Sequence, residues 1–190
     1  MSGPYTIPNI LTGLRIVLIP VIVVLFYLPY HWSDMASGLL FAVVGITDAF
    51  DGYFARKLGQ VSPLGAFLDP VADKLIVVTA LVLIVSKDPV WYVTLTAAVI
   101  IGREIAISAL REWMSEIGAR HKMQVSAMAK FKTIVQITGL SMMLFREDLF
   151  GLPIFDIGLV LTMLAAVLTL WSMIAYLVAA GPELRGNRGT

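Results

Sequence analysis

Cysteine is absent from this chain, histidine occurs only twice, and charge is scarce. Without cysteine there are no disulfides, no iron–sulfur clusters and no thiolate metal sites. Any metal must therefore sit on oxygen or on one of the two histidines. Charged residues make up 14% of the sequence, where an average soluble domain carries about 25%. The formal net charge of +1 points to no partner by itself, and no nucleic acid is expected. The N-terminus has no basic region ahead of a short apolar run and no small-residue cleavage site, so it does not read as a signal peptide. What the chain has in abundance is apolar sequence: 58% of its 190 residues, with mean hydropathy +0.86. It reads as one domain of a membrane protein.

A membrane span needs about 20 mostly apolar residues. Six segments qualify: Ile7–Leu28, Met35–Arg56, Gly65–Ser86, Pro89–Trp113, Ser126–Phe145 and Pro153–Ala180. The expected fold is all-α, with six transmembrane helices filling residues 1–182 and a flexible tail at 183–190. With the N-terminus in the cytoplasm, every lysine and arginine except Lys87 and Arg146 falls at or toward the cytoplasmic side, as the positive-inside rule requires. Both termini are then cytoplasmic, and the protein belongs in the inner, cytoplasmic membrane.

Four aspartates interrupt this apolar pattern within "DAFDGYFARKLGQVSPLGAFLDPVADK", residues 48–74. Asp48 lies 14 residues from Asp34, and Asp73 lies 14 residues from Lys87. At 1.5 Å of rise per residue, both sit roughly 21 Å in from the outer edge, with Asp51 and Asp69 at roughly 26 Å. The hydrocarbon core is about 30 Å thick, so the carboxylates form two layers in its inner part. Asp48 and Asp51 are spaced i,i+3 and Asp69 and Asp73 i,i+4, so each pair shares a helix face. Spans 2 and 3 are expected to pack against each other as antiparallel neighbours, converging all four carboxylates in one cytoplasm-facing pocket.

Four anionic carboxylates cannot share such a pocket unaided; some are protonated, or cations are bound. Clustered oxygen ligands suit a hard ion, Mg²⁺ or Mn²⁺. Four aspartates suffice for two ions about 3.5–4 Å apart, an arrangement that clamps a phosphoryl group during in-line displacement. Plainer readings exist. Asp69 before Pro70 could be a helix N-cap, and Asp48 and Asp51 could pair with Arg56 and Lys57. Carboxylates inside a membrane are nonetheless functional by default. Gly52 and Gly65 would make room beside them for a ligand or a neighbouring helix.

The spacing Asp48-x2-Asp51-Gly52-x2-Ala55-Arg56-x8-Gly65-x3-Asp69-x3-Asp73 resembles the full signature of the CDP-alcohol phosphatidyltransferases. The resemblance implies a six-helix membrane enzyme, usually dimeric, that transfers a phosphatidyl group from CDP-diacylglycerol or a related CDP-alcohol. It implies two divalent ions on Asp48, Asp51, Asp69 and Asp73, with Asp73 also the general base. Gly52, Ala55, Arg56 and Gly65 would line the CDP-diacylglycerol site, although ordinary helix packing also accounts for Ala55. The stretches "IPNILTGLRIVLIPV", "GREIAISALREWMSEIG" and "AKFKT" resemble the branch of the family whose acceptor is glycerol 3-phosphate.

A phosphate-bearing acceptor needs cations of its own. Arg103 and Arg111 on span 4, with Lys130 and Lys132 at the start of span 5, could ring such a phosphate. Snorkelling to lipid headgroups is the alternative, and Glu104 and Glu112 are alternative ion-pair partners. The function expected is transfer from CDP-diacylglycerol to glycerol 3-phosphate by a homodimer in the bilayer. The rivals are a sister transferase using inositol phosphate or serine, a divalent-cation transporter built on the four aspartates, and a structural scaffold.

Overall fold

The computed structural model describes residues 7–58, 63–118 and 127–184. All six elements are helices: α1 Ile7–Tyr27, α2 Ser33–Leu58, α3 Pro63–Lys87, α4 Trp91–Glu116, α5 Ala127–Phe145 and α6 Ile154–Leu184. They match the six expected segments to within a few residues. Three are long and apolar enough to cross a membrane by composition alone, within Ile10–Tyr27, Trp91–Glu116 and Ile154–Val178. Helices α2 and α5 carry shorter apolar stretches, Ser33–Thr47 and Phe131–Phe145. What breaks the run on α2 is its aspartates and basic residues, and polar positions of this kind recur on α3 and α5.

Helix α3 starts at Pro63, a residue whose missing N–H costs nothing in a first turn. Asp69 and Pro70 therefore lie inside the helix, which overturns the reading of Asp69 as an N-cap. A second expectation is corrected by the packing. Helix α2 packs on α1 and α5, while α3 packs on α1, α4 and α5. Among the described residues α2 and α3 are thus linked mainly through α1 and α5, not face to face. The physical reason is that α1 and α5 each offer an apolar face to both helices, so the apolar parts of α2 and α3 are buried without a direct α2–α3 seam.

Three helix connections are clasped together at one end of the bundle. Lys87 pairs with Asp34, and Arg146 pairs with Asp88 through both guanidinium nitrogens, the second at 3.0 Å. Arg146 also reaches Asp34 at 3.8 Å and lies over the Phe155 ring at 5.1 Å. Its backbone is left-handed, with φ of 60°. That conformation costs a non-glycine residue about 1–2 kcal/mol, and the contacts offset it. Tyr27, Tyr30, Trp32, Trp91 and Tyr92 cluster at this end and are exposed, as in the aromatic belt of a membrane interface.

Below the clasp lies the apolar core, in which Phe26, Phe41, Ile84, Ile100, Leu140 and Leu144 are almost fully buried. Helices α5 and α6 approach most closely where Gly139 meets Gly158. A Cβ on Gly158 would stand 2.7 Å from the Gly139 carbonyl oxygen, and one on Gly139 2.5 Å from Thr162 Oγ1. Small residues at a crossing let backbones touch, which is how helices associate where lipid offers no hydrophobic gain.

Candidate active site

Counting from the clasped end exposes a pattern invisible along the chain. Arg15 is 12 residues from the end of α1, Asp73 is 14 from the end of α3, and Arg103 is 12 into α4. Lys132 is 13 from the end of α5, Thr169 is 15 into α6, and Asp48 is 15 into α2. The Lys87–Asp34 pair and a Tyr27–Ser86 hydrogen bond of 2.9 Å hold α1, α2 and α3 level there. With about 1.5 Å of rise per residue, these six positions form one layer roughly 18–22 Å from the clasped end. The sequence estimate of depth for the aspartates stands on this common level.

On α3, Gly65, Asp69 and Asp73 follow one another every four residues, so they share a face. Gly65 is buried. The hydroxyl of Thr12 donates to Asp69 Oδ1. Arg15 Nη1 donates to Asp73 Oδ1 at 2.6 Å in an ion pair. Arg15 is only 4% exposed while the Asp73 side chain is 47% exposed, so the cation is locked in while the carboxylate stays accessible. Oxygen donors oriented in this way, one turn apart, fit a hard divalent ion. The side chains of Asp48, Asp51, Gly52, Ala55 and Arg56 lie outside the described residues; their backbone belongs to α2.

The cations come together on α4 and α5, with Thr169 of α6 against them. Arg103 and Lys132 are both 7% exposed. Arg103 pairs with Glu104 at 2.7 Å and donates to Thr169 Oγ1 at 3.3 Å, so the alternative partner Glu104 is realised. Its Nε is buried without a hydrogen-bond partner. Lys132 lies within electrostatic range of Arg103, Glu104 and Arg111. Arg111, two turns further along α4, is exposed. Buried cations with an unsatisfied donor fit an anionic ligand, because headgroup snorkelling requires the charged tip to reach water. Arg111, being exposed, remains compatible with snorkelling. The side chain of Lys130 lies outside the described residues.

Sequence reasoning missed three residues here. Thr12 and Arg15 carry a usable signal, since they form an i,i+3 polar pair on a helix of otherwise apolar character, and Arg15 is an intramembrane charge. Counting Arg15 only toward orientation hid it. Thr169 carries no comparable signal, being one of several hydroxyls in a 31-residue apolar helix.

Comparison with known proteins supplies the frame for this layer. The chain is 49% identical over 180 residues to the CDP-diacylglycerol–glycerol-3-phosphate 3-phosphatidyltransferase of Salmonella choleraesuis, covering 95% of this chain and 97% of the relative. The proteins of that name from Shigella flexneri and Escherichia coli are 48% identical with the same coverage. The sequence model of the CDP-alcohol phosphatidyltransferases matches residues 5–171, a range that takes in every position of the polar layer. With the signature aspartates distributed over α2 and α3 inside that range, the chain belongs to the CDP-alcohol phosphatidyltransferase family.

Proposed function

We propose that this protein transfers the phosphatidyl group of CDP-diacylglycerol to glycerol 3-phosphate, releasing CMP and forming phosphatidylglycerophosphate. The observation that carries the proposal is near-half identity over 95% of the chain to relatives of that name. The geometry supports it: a carboxylate pole on α2 and α3 lies level with a cation pole on α4 and α5, which suits a reaction joining a pyrophosphate to a second, phosphate-bearing substrate.

Asp48, Asp51, Asp69 and Asp73 would hold two Mg²⁺ or Mn²⁺ ions. When bound, such ions supply Lewis-acid stabilisation of the pyrophosphate and of charge on the departing nucleotide. Gly52, Ala55, Arg56 and Gly65 line the CDP-diacylglycerol site, and the Arg56 guanidinium offsets charge developing on CMP. Arg103 and Lys132, with Arg111 and Lys130 nearer the helix ends, hold the acceptor phosphate. Asp73 takes the proton of the acceptor's primary hydroxyl. That oxygen forms its bond to the β-phosphorus as the bond to CMP breaks, and CMP leaves with the electron pair. The enzyme acts as a homodimer in the inner membrane, all six helices spanning, with the polar layer open to the cytoplasm and both termini on that side. The transporter reading gains nothing from the packing, since Phe41, Ile84 and Leu140 fill the bundle between the polar layer and the clasped end.

The test is CMP release by the purified protein from labelled CDP-diacylglycerol, with glycerol 3-phosphate, inositol phosphate or serine, with and without EDTA. Release that requires glycerol 3-phosphate and is abolished by EDTA is expected. Release with another alcohol at equal rate, or release untouched by EDTA, overturns the acceptor or the metal assignment respectively.

A further inference from the structure

We infer that Thr12 and Arg15 of α1 are positioning residues for the carboxylates of α3: Thr12 presents Asp69 to a divalent cation, and Arg15 aims Asp73 while restraining how tightly that cation is held. The inference rests on the proposed reading of Asp69 and Asp73 as metal ligands.

Helices α1 and α3 run parallel and in register. Their polar contacts join Thr12 to Asp69, Arg15 to Asp73 and Tyr27 to Ser86, with sequence separations of 57, 58 and 59. Between the rungs, Ile22 and Phe26 of α1 and Ile76 and Ala80 of α3 are buried in one core. The two inner rungs are therefore set by packing along the whole helix pair and not by local side-chain choice. Thr12 is 2% exposed and Arg15 4%, so neither donor can swing to solvent. Partners of this kind behind a ligand decide its orientation.

The two donors differ in charge, and this separates their effects. The threonine hydroxyl is neutral; it orients Asp69 without opposing a cation. The guanidinium is permanently charged. It steadies Asp73 among other carboxylates, and it also repels a divalent ion drawn to the same group. Removing the hydroxyl weakens metal binding, whereas removing the guanidinium strengthens it and still impairs turnover, because Asp73 loses its aim. A purely structural role for Arg15 predicts loss of both.

The experiment is Mn²⁺ binding to the full-length protein in detergent micelles, read from the free-ion electron paramagnetic resonance signal, alongside turnover and thermal unfolding. Thr12→Val should weaken Mn²⁺ binding about tenfold or more, and Thr12→Ser should leave it near wild type. Arg15→Gln should tighten Mn²⁺ binding about threefold or more while turnover falls about 10–100-fold. Arg15→Lys keeps the charge, so Mn²⁺ affinity should stay near wild type with turnover only partly recovered. Weaker or unchanged Mn²⁺ binding by a folded Arg15→Gln protein overturns the role of Arg15. Should that variant not fold, Arg15→Met tests the same loss of charge, and the isosteric Thr12 pair decides the role of Thr12 alone. Asp69→Asn and Asp73→Asn are the controls. If the wild type shows no specific Mn²⁺ binding, or if both controls bind Mn²⁺ as the wild type does, the metal-site reading itself falls and takes this inference with it. If they lose Mn²⁺ while the Thr12 and Arg15 variants match wild type, only the inference falls.

Discussion

Replacing Arg103 by methionine should separate function from stability. The guanidinium is 7% exposed, and its Nε has no hydrogen-bond partner. A buried donor without a partner costs about 1–3 kcal/mol. Against this stand the 2.7 Å pair with Glu104, itself 25% exposed, and a long hydrogen bond of 3.3 Å to Thr169. A partly solvated ion pair contributes about 1 kcal/mol at most, and a hydrogen bond from a charged donor, at this length, falls at the low end of about 1.5–3 kcal/mol. The two sides nearly cancel. Arg103→Met should therefore unfold within about 5 °C of wild type in the same detergent. Binding of an acceptor phosphate, by contrast, loses at least one charge-assisted hydrogen bond of about 1.5–3 kcal/mol. The KM for glycerol 3-phosphate should rise about tenfold or more, with the KM for CDP-diacylglycerol within about threefold of wild type. Steady-state kinetics with each substrate varied in turn, next to a thermal unfolding curve, gives both readings. A large fall in unfolding temperature, or equal rises in the two KM values, would refute the reasoning by making Arg103 a structural residue or part of the nucleotide site.

Asp48→Asn or Asp69→Asn should abolish transfer in protein that still inserts and elutes as wild type, since each substitution removes a proposed metal ligand; near-normal turnover at saturating Mg²⁺ would contradict the two-ion site. Asp73→Asn keeps the shape and one oxygen but cannot accept a proton, so the chemical step should fall about 10²–10⁴-fold while Mn²⁺-dependent CDP-diacylglycerol binding partly persists. Arg146→Ala removes both guanidinium contacts to Asp88 at the far end of the bundle, and should lower the unfolding temperature while leaving the KM values of the folded protein unchanged. Gly158→Val drives a side chain into the Gly139 carbonyl; overpacking of this kind costs about 1–3 kcal/mol or more, and circular dichroism on heating should show the loss.

The number and limits of the helices, and the four aspartates as the candidate centre, were legible in the sequence. The reason is that lipid imposes a length and a polarity on each segment separately, so the relevant signals are local. Equal depth for Asp48 and Asp73 was also accessible, because helix rise is constant and Asp34 and Lys87 mark a common level. Which helices meet is a different matter, since many packings bury the same apolar faces. Only the tertiary structure put α1 beside α3, brought Thr12 and Arg15 onto Asp69 and Asp73, and, among the described residues, linked α2 and α3 mainly through α1 and α5. It likewise closed the alternative in which Asp69 caps a helix starting at Pro70, because α3 begins at Pro63. Burial of Lys132 and of Arg103 against Thr169, with Arg111 left at the surface, depends on how α4, α5 and α6 turn about their axes, and that rotation is decided by close contacts such as Gly139 on Gly158, whose partners lie about twenty residues apart in the chain and a few ångströms apart in the fold.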